Sequence, residues 1–299
     1  MTTYSQQDPQ FSQYMFNLTS INPGFVGSSD MICMSLVNRQ QWVGFKGAPN
    51  TSFFQANAPI KLFGFKSGVG LSLMNDNVAF DTDLGISGYY AARLDLGTGT
   101  LGIGMNIGLI NKALEADWQI PDEIGISAES DPAIPTPDDS RMTFDLGFGL
   151  FYNTDNLYFG ISTTHLNQPK IRYVEKKESY ISRHYYAVAG YRWQLSNPMF
   201  EILPSVLLKT DGRTNQIDAT GMVRYNKKFW GGVSYRAGDA LIGIIGFELF
   251  NGVRIGYSYD FTTSDIGNYS SGSHEFTVGY CFSLSLDKTP QKYKSIRFL

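Results

Sequence analysis

The chain has 299 residues, a formal net charge of −3 and only 17% charged residues. No basic stripe accompanies that weak negative charge, which argues against nucleic-acid binding. The mean hydropathy is −0.17, and no apolar run approaches the roughly 18 residues that a membrane-spanning helix needs. The 31 glycines, 18 tyrosines and 21 phenylalanines instead favour β structure, in one large domain or two smaller ones.

Residues 1–30 precede the first regular pattern and form a segment of their own. Turn signals interrupt it at residues 8–9, 22–24 and 27–30. Between them, Phe11, Tyr14, Met15 and Leu18 recur at helical spacing and predict a turn or two of amphipathic helix. Four large apolar side chains in eight residues predict that this segment packs against the rest of the chain. A disordered tail is the alternative.

Strict alternation of large apolar residues with small or polar ones begins near residue 31. It is clearest in LGIGMNIGLI, residues 101–110, where apolar residues take the odd positions and Gly or Asn takes positions 102 to 108. A period of two is typical of strands whose two faces meet different surroundings. Fourteen strands are predicted, over residues 31–42, 51–59, 66–75, 81–95, 99–111, 141–153, 156–165, 180–194, 199–209, 215–226, 228–236, 240–249, 252–262 and 273–284.

Short and long connections alternate along this series. Tight turns are predicted at 96–98, 154–155, 195–198, 227 and 250–251, and longer loops at 43–50, 112–140, 166–179 and 263–272. Strands of about ten residues joined in this way are typical of outer-membrane barrels, with short periplasmic turns and long extracellular loops. A soluble β-sandwich or propeller is the alternative, although its strands usually have five or six residues.

The predicted fold class is therefore all-β, a transmembrane antiparallel up-and-down β-barrel of about 14 strands. The N-terminal segment is expected to fold into or under the lumen. We predict three parts: residues 1–30 as a plug on the periplasmic side, 31–284 as the barrel and 285–299 as a periplasmic tail. Aromatic residues near strand ends, among them Tyr89 and Trp230, fit an interfacial girdle.

The alternation also predicts which side chains face the lumen. Glycines at positions 102, 104 and 108 would leave room inside for something large, such as the N-terminal segment. Charges of both signs fall on the inner face and are expected to pair with one another rather than to select one charge for transport. They are Arg93, Asp95, Asp145, Arg224, Arg236, Glu248, Arg254, Asp260 and Glu275.

Cys33 and Cys281 fall in the first and last predicted strands, near the periplasmic ends, and both face the lumen by alternation. They could be neighbours, and a disulfide is one possibility. Two unlinked buried thiols are the default expectation.

No catalytic or cofactor motif is present in the sequence, so neither an enzyme nor a cofactor is predicted. The three histidines are scattered along the chain, and no metal-ligand spacing is found. The acidic loop 112–140 could bind calcium, but no ligand spacing requires it.

Two stretches near the N-terminus resemble a known family. QDPQFSQYMFN, residues 7–17, and INPGFVGS, residues 21–28, are similar to the start of the PorP/SprF outer-membrane proteins of the type IX secretion system and gliding machinery. NRQQW, residues 38–42, and the C-terminal YKSIRFL, residues 293–299, also resemble family patterns, although Ile296 stands where Pro is common. The matching residues are Asp8, Pro9, Gln13, Tyr14, Met15, Phe16, Asn17, Asn22, Pro23, Gly24 and Gly27, with Tyr293, Arg297, Phe298 and Leu299 in the tail.

This resemblance implies a partner-binding role in the outer membrane. The barrel would bind and anchor an exported cell-surface adhesin, through the adhesin's type B C-terminal domain, at its extracellular face. It would also contact a periplasmic ring lipoprotein or a peptidoglycan-binding subunit, and outer-membrane lipid and lipopolysaccharide would surround it. Family members are exported, so we expect the numbering to omit a signal peptide. A pore or transporter for small or hydrophobic solutes is the alternative function.

Apolar residues in the long loops are the candidates for cargo binding, because exposed aliphatic and aromatic side chains suit a protein interface. The alternative is that they pack on one another and cap the barrel mouth. They are Leu114, Trp118, Ile120 and Ile124 in loop 112–140, and Ile266 and Tyr269 in loop 263–272.

Overall fold

The computed structural model describes residues 8–44, 46–114, 139–174, 177–250 and 252–283. Strands β1 to β9 are Ile32–Gln40, Asn50–Leu62, Phe65–Val78, Asp81–Leu96, Gly99–Leu114, Asp139–Asn153, Leu157–Thr164, Lys170–Val174 and Lys177–Tyr180. Strands β10 to β17 are His184–Tyr191, Trp193–Gln194, Phe200–Thr210, Asn215–Tyr225, Phe229–Arg236, Ala240–Glu248, Val253–Thr262 and Ser273–Phe282. Within the described residues, no helix is long and apolar enough to cross a membrane.

The strands form a closed antiparallel barrel. Consecutive strands pair from β1 to β7 and from β12 to β17, β1 pairs with β17, and β10 pairs with both β7 and β12. The short β11 follows β10 and pairs with the same neighbour, β12, so β10 and β11 count as one strand of the wall. With β8 and β9 forming a separate sheet, the wall has fourteen strands. The predicted fold class and strand number are confirmed. The predicted loop 166–179 was wrong in one respect, because β8 and β9 form a separate hairpin within it.

The two ends of the barrel differ. Connections at one end are short, at 63–64, 97–98, 154–156, 195–199 and 226–228, whereas the other end carries the loops 41–49, 165–183 and 263–272. By the rule for outer-membrane barrels, the first end is periplasmic and the second extracellular. The alternation of lengths is not strict, because connections 79–80 and 237–239 at the extracellular end are also short.

The predicted faces of the wall are confirmed. In β5, Met105, Ile107 and Leu109 point outward, and the residues between them are buried against the lumen. Two aromatic residues depart from the predicted girdle. Tyr89 faces inward and its hydroxyl lies 2.9 Å from the Ser72 hydroxyl. Trp230 is buried in the lumen with its ring centroid 5.4 Å from that of Phe16.

The N-terminal segment runs through the lumen, so the predicted plug is confirmed. Its described part starts at Asp8, beside the extracellular ends of β7 and β10, and runs to the periplasmic start of β1. The segment therefore extends along the lumen and is not confined to the periplasmic side, as the prediction placed it. In place of an amphipathic helix the segment makes three short 3₁₀ turns, Tyr14–Phe16, Leu18–Ser20 and Pro23–Phe25. A helix is dispensable here because wall side chains accept some of the segment's backbone N–H groups.

Glycines of the wall make room for the segment. A Cβ on Gly102 would lie 2.1 Å from the Gly24 carbonyl oxygen, and one on Gly104 would lie 2.3 Å from the Pro23 carbonyl carbon. Side chains at these two positions would collide with the backbone of the N-terminal segment. The segment therefore occupies the space that the sequence predicted at both glycines. Gly108 differs, because its neighbour is the Ser87 hydroxyl of the adjacent strand.

Cys33 and Cys281 are disulfide-bonded, so the default expectation of two unlinked thiols was wrong. The two residues are direct partners in the β1–β17 register, with Cα atoms 4.1 Å apart. Both face the lumen near the periplasmic end, as predicted. The bond joins the first and last strands across a sequence separation of 248 residues. A cross-link over so long a loop removes much conformational freedom from the unfolded chain.

Adding one methyl group to the wall tests the fit of the segment. We expect Gly104→Ala to lower the free energy of unfolding by about 1–3 kcal/mol, because the new Cβ must push aside the backbone at Pro23. Gly279→Ala is the matched control on the lumen face, since its Cβ would have no neighbour closer than 3.6 Å. The measurement is equilibrium unfolding of both variants in detergent. Equal effects of the two substitutions would contradict the fit.

Candidate functional site

A buried network of charges lies in the extracellular half of the lumen. We call it the Arg39 cluster and define it as Arg39, Asp218, Arg236, Asp260 and Glu275. Arg39 contacts Asp260 at 2.7 Å and Glu275 at 3.3 Å, and Arg236 contacts Asp218 at 3.1 Å and Asp260 at 3.2 Å. All five side chains are at most 2% exposed. The predicted pairing of lumen charges is confirmed here.

The Arg39 cluster also binds the N-terminal segment. The Glu275 carboxylate accepts the backbone N–H groups of Ser12 and Gln13 at 2.7 and 2.8 Å. The Ser12 hydroxyl donates to Asp260 at 2.8 Å and accepts from Arg39 at 2.8 Å. Hydrogen bonds to charged groups are stronger than neutral ones. The cluster therefore fixes the segment where it enters the lumen.

A second network surrounds the start of the described segment. We call it the Asp8 cluster and define it as Asp8, Asp145, His165, His184 and Tyr186. The His165 ring lies between two carboxylates, with Nε2 2.7 Å from Asp8 Oδ1 and Nδ1 2.7 Å from Asp145 Oδ1. Asp8 Oδ2 accepts from the Tyr186 hydroxyl at 2.7 Å, and His184 Nδ1 lies 3.6 Å from the same oxygen.

The position of the His165 ring between two carboxylates favours the charged imidazolium form, because a hydrogen bond to each carboxylate requires both ring nitrogens to donate. Burial by itself lowers the pKa of His165, but Asp8 and Asp145 outweigh it and raise that pKa to about 10. Burial raises the pKa of Asp8, whereas the neighbouring His165 and His184 lower it, and the net pKa lies well below its usual value. With the ring protonated, a charged pair joins the segment to the wall.

Apolar packing holds the middle of the segment. Tyr14, Leu18 and Ile21 pack in one buried cluster with Phe151 and the inward residues of β10 and β12. The Tyr14 hydroxyl, which would otherwise be buried without a partner, lies 2.9 Å from the Ser205 hydroxyl. The lumen at this level is thus a packed core.

Backbone groups of the wall hold the segment near the periplasmic end. The Asn22 amide donates to the carbonyl oxygens of Leu150 and Ile161 at 3.0 and 3.3 Å, and its own oxygen caps the turn by accepting from Gly24 N at 2.9 Å. Arg93 donates to the Gly24 carbonyl oxygen at 3.4 Å. Asn22 and Gly24 thus contribute directly to docking.

Cavities remain towards the periplasmic end. One of about 330 Å³ lies between the apolar side of the segment, including Met15 and Phe25, and the turn residues 154–157. Another of about 680 Å³ is lined by Lys61, Lys66 and Arg93.

The predicted site residues fall into three groups: some lie at the extracellular end, some lie outside the described residues, and the motif residues lie together in the lumen. Leu114 ends β5 and is half-buried, Ile266 is half-buried and Tyr269 is exposed, all at the extracellular end. Trp118, Ile120 and Ile124, like the tail residues Tyr293, Arg297, Phe298 and Leu299, lie outside the described residues. The motif residues inside the lumen are Asp8, Pro9, Gln13, Tyr14, Met15, Phe16, Asn17, Asn22, Pro23, Gly24 and Gly27.

Several residues of the two clusters were not singled out from the sequence as lumen charges. Arg39 and Asp218 belong to the inward face by the same alternation that identified Asp260, so that signal was available. His165 and His184 were interpreted as scattered, and 19 residues separate them along the chain. Only the β7–β10 register, which pairs His184 with Thr164, brings them together.

Solved structures with a similar fold include two toluene transporters. The Pseudomonas putida toluene transporter TodX superposes with a TM-score of 0.51 at 9% identity, over 88% of this chain and 92% of that one. The Ralstonia pickettii toluene transporter TbuX gives a TM-score of 0.49 at 11% identity, over 88% and 92%. These likenesses concern the fold alone. No curated protein sequence matches the chain.

One sequence family accounts for almost the whole chain. The model of the family described as "Type IX secretion system membrane protein PorP/SprF" matches residues 3–280. The match includes both N-terminal stretches and all the barrel strands up to β17.

Breaking the Arg39 cluster tests its contribution. Arg39→Met leaves the Glu275 carboxylate without its arginine, and we expect a loss of about 3–5 kcal/mol in the free energy of unfolding. Lys66→Met is the control, because the Lys66–Asp95 pair is 60% and 65% exposed and should contribute little. Denaturant titration of both variants gives the comparison. A loss in Arg39→Met no larger than in the control would show that the cluster does not stabilise the barrel.

Proposed function

The chain belongs to the PorP/SprF family of type IX secretion system membrane proteins, and from this premise we propose that it binds and anchors an exported cell-surface protein at its extracellular face. An adhesin with a type B C-terminal domain is the proposed cargo. Periplasmic components of the secretion or motility apparatus are the proposed partners at the other end.

The filled lumen is the observation that carries this proposal. The N-terminal segment is fixed by charged groups near the extracellular end, by apolar packing in the middle and by the Asn22 amide near the periplasmic end. A lumen filled in this way leaves no wide passage for a folded or unfolded polypeptide. A partner protein would therefore bind to the ends of the barrel.

The extracellular end presents an aromatic side chain on a supported loop. Tyr269, in loop 263–272, is 78% exposed. The loop is tied to the β1–β2 connection, because Val43 N donates to the Gly272 carbonyl oxygen at 2.8 Å and Ser271 N donates to the Val43 carbonyl oxygen at 2.6 Å. A rigidly held exposed tyrosine suits an interface, since little entropy is lost on binding.

The periplasmic end offers a different surface. The cavity lined by Lys61, Lys66 and Arg93, and also by the carboxylates Asp30, Asp95 and Asp155, opens among the short turns. Phe250 on the turn after β15 is 98% exposed. A periplasmic ring lipoprotein or a peptidoglycan-binding subunit would dock here. The mixture of aromatic groups and charges of both signs supports contact with a protein surface.

A second function, binding or passage of small hydrophobic solutes, is favoured by one observation. The cavity of about 330 Å³ has apolar walls formed by Met15, Leu18, Phe25 and Phe151. Its volume and lining suit a small apolar molecule. The cavity opens beside turn residues, so such a ligand would enter from the periplasmic end.

A pair of aromatic substitutions tests which end binds the surface protein. We expect Tyr269→Ser to reduce several-fold the amount of cell-surface protein that co-purifies with the barrel from native outer membrane. Phe250→Ser, which removes an even more exposed aromatic ring from the opposite end, should leave that amount unchanged. Quantitative mass spectrometry of both preparations measures the effect. Unchanged retention in Tyr269→Ser would favour the interpretation that loop residues only cap the barrel.

Electrical recording tests the plugged lumen against the pore function. We expect the intact chain to show no large, steady ion conductance in planar bilayers, because residues 8–31 occupy the lumen. Deletion of residues 5–25 should produce conductance if the barrel still folds, which its heat-modifiable migration on gels reports. Large, steady conductance of the intact chain would contradict the plugged anchor and support the pore.

A further inference from the structure

Two histidines and one aspartate of the Asp8 cluster bring their ligand atoms into a small volume. One carboxylate oxygen of Asp8 and one ring nitrogen each of His165 and His184 all lie within 4.8 Å of one another. Among the described residues, this is the one group of three His, Cys, Asp or Glu side chains that converges in this way. Asp8 comes from the segment, His165 follows β7 and His184 begins β10.

We propose that Asp8, His165 and His184 form a binding site for a divalent transition-metal ion, with zinc the best fit. Two imidazoles and one carboxylate are a donor set that Zn²⁺ takes in proteins, usually with a water molecule in the fourth position. Such an ion would cross-link the N-terminal segment to two strands of the wall.

The groups around the three ligands are those of a metal site. Asp145 accepts from His165 Nδ1 at 2.7 Å, which leaves Nε2 directed at Asp8, as in carboxylate–histidine–metal arrangements. The Tyr186 and Thr164 hydroxyls donate to Asp8 Oδ2 at 2.7 and 2.9 Å, so Oδ1 is the oxygen left towards His165. These hydrogen bonds fix both ligands before any ion binds.

His184 supplies an independent observation. Its side chain is only 1% exposed, and its Nε2 has no hydrogen-bond partner. A buried ring nitrogen without a partner is costly, and a metal ion would satisfy it. Its other nitrogen, Nδ1, lies 3.0 Å from the Ser182 carbonyl oxygen. Nδ1 is also the nitrogen that lies 3.6 Å from Asp8 Oδ2. A half-turn of the ring would bring Nε2 to the position that Cε1 now occupies, next to the present position of Nδ1.

The surroundings of the three ligands provide both space and negative charge for a metal ion. A cavity of about 80 Å³, lined in part by Asp8, Asp145 and His165, adjoins the ligands and can hold the additional water. Two carboxylates face the site, and a cation opposes binding: Lys209 Nζ donates to the Asp8 carbonyl oxygen at 2.6 Å.

Zinc titration of the full chain, purified without a polyhistidine tag, tests the site. With zinc chloride as the probe and a chelator competitor, we expect one zinc ion per chain. His165→Gln and His184→Gln should each weaken binding by more than about 100-fold, and Asp145→Asn by about 10- to 100-fold. His274→Gln is the matched control, because the third histidine lies on β17 beside Tyr257 and away from the cluster. It should leave the affinity unchanged.

Cobalt provides a measurement that does not depend on variants folding. Co²⁺ added to the unsubstituted protein should give the visible absorption bands of a four-coordinate nitrogen and oxygen site, and zinc should abolish them. Heat-modifiable migration on gels verifies that each variant is folded. The site is refuted if the unsubstituted protein gives no such bands, or if His184→Gln and His274→Gln bind zinc equally well.

Discussion

The pairing of every backbone N–H and C=O group within the hydrocarbon layer is the constraint on which this structure depends. An open sheet would leave two unpaired edges in lipid, at a cost of several kcal/mol for each unsatisfied group. The chain avoids this cost by pairing β1 with β17 over nine residue pairs. The Cys33–Cys281 bond lies within that pairing and joins the two strands that close the barrel.

Closure has a second consequence, because it creates an inner face that must also be satisfied. The inward residues include arginines and carboxylates that are almost fully buried, and such charges are tolerated only when paired and hydrogen-bonded. Part of the required pairing comes from the N-terminal segment, whose Ser12 and Gln13 bind to Glu275. Segment and wall therefore complete each other's hydrogen bonding.

A filled lumen directs function to the ends of the barrel. Tyr269 stands on a supported loop at the extracellular end, whereas charges of both signs and an exposed phenylalanine lie at the periplasmic end. The Asp8 cluster lies at the top of the lumen, next to the loop that follows β7. An ion held there would connect the position of the segment to the extracellular loops.

The sequence by itself determined the barrel, its faces and the strand number, because a period of two over strands of about ten residues is a local signal. It also identified the N-terminal segment, since its apolar residues needed a packing surface. Only the tertiary structure decided that Asp8 of this segment lies near the extracellular end, that Cys33 bonds to Cys281, and that His165, His184 and Asp8 meet. Those contacts join residues far apart in the chain, and the strand register that brings them together is fixed only when the sheet closes.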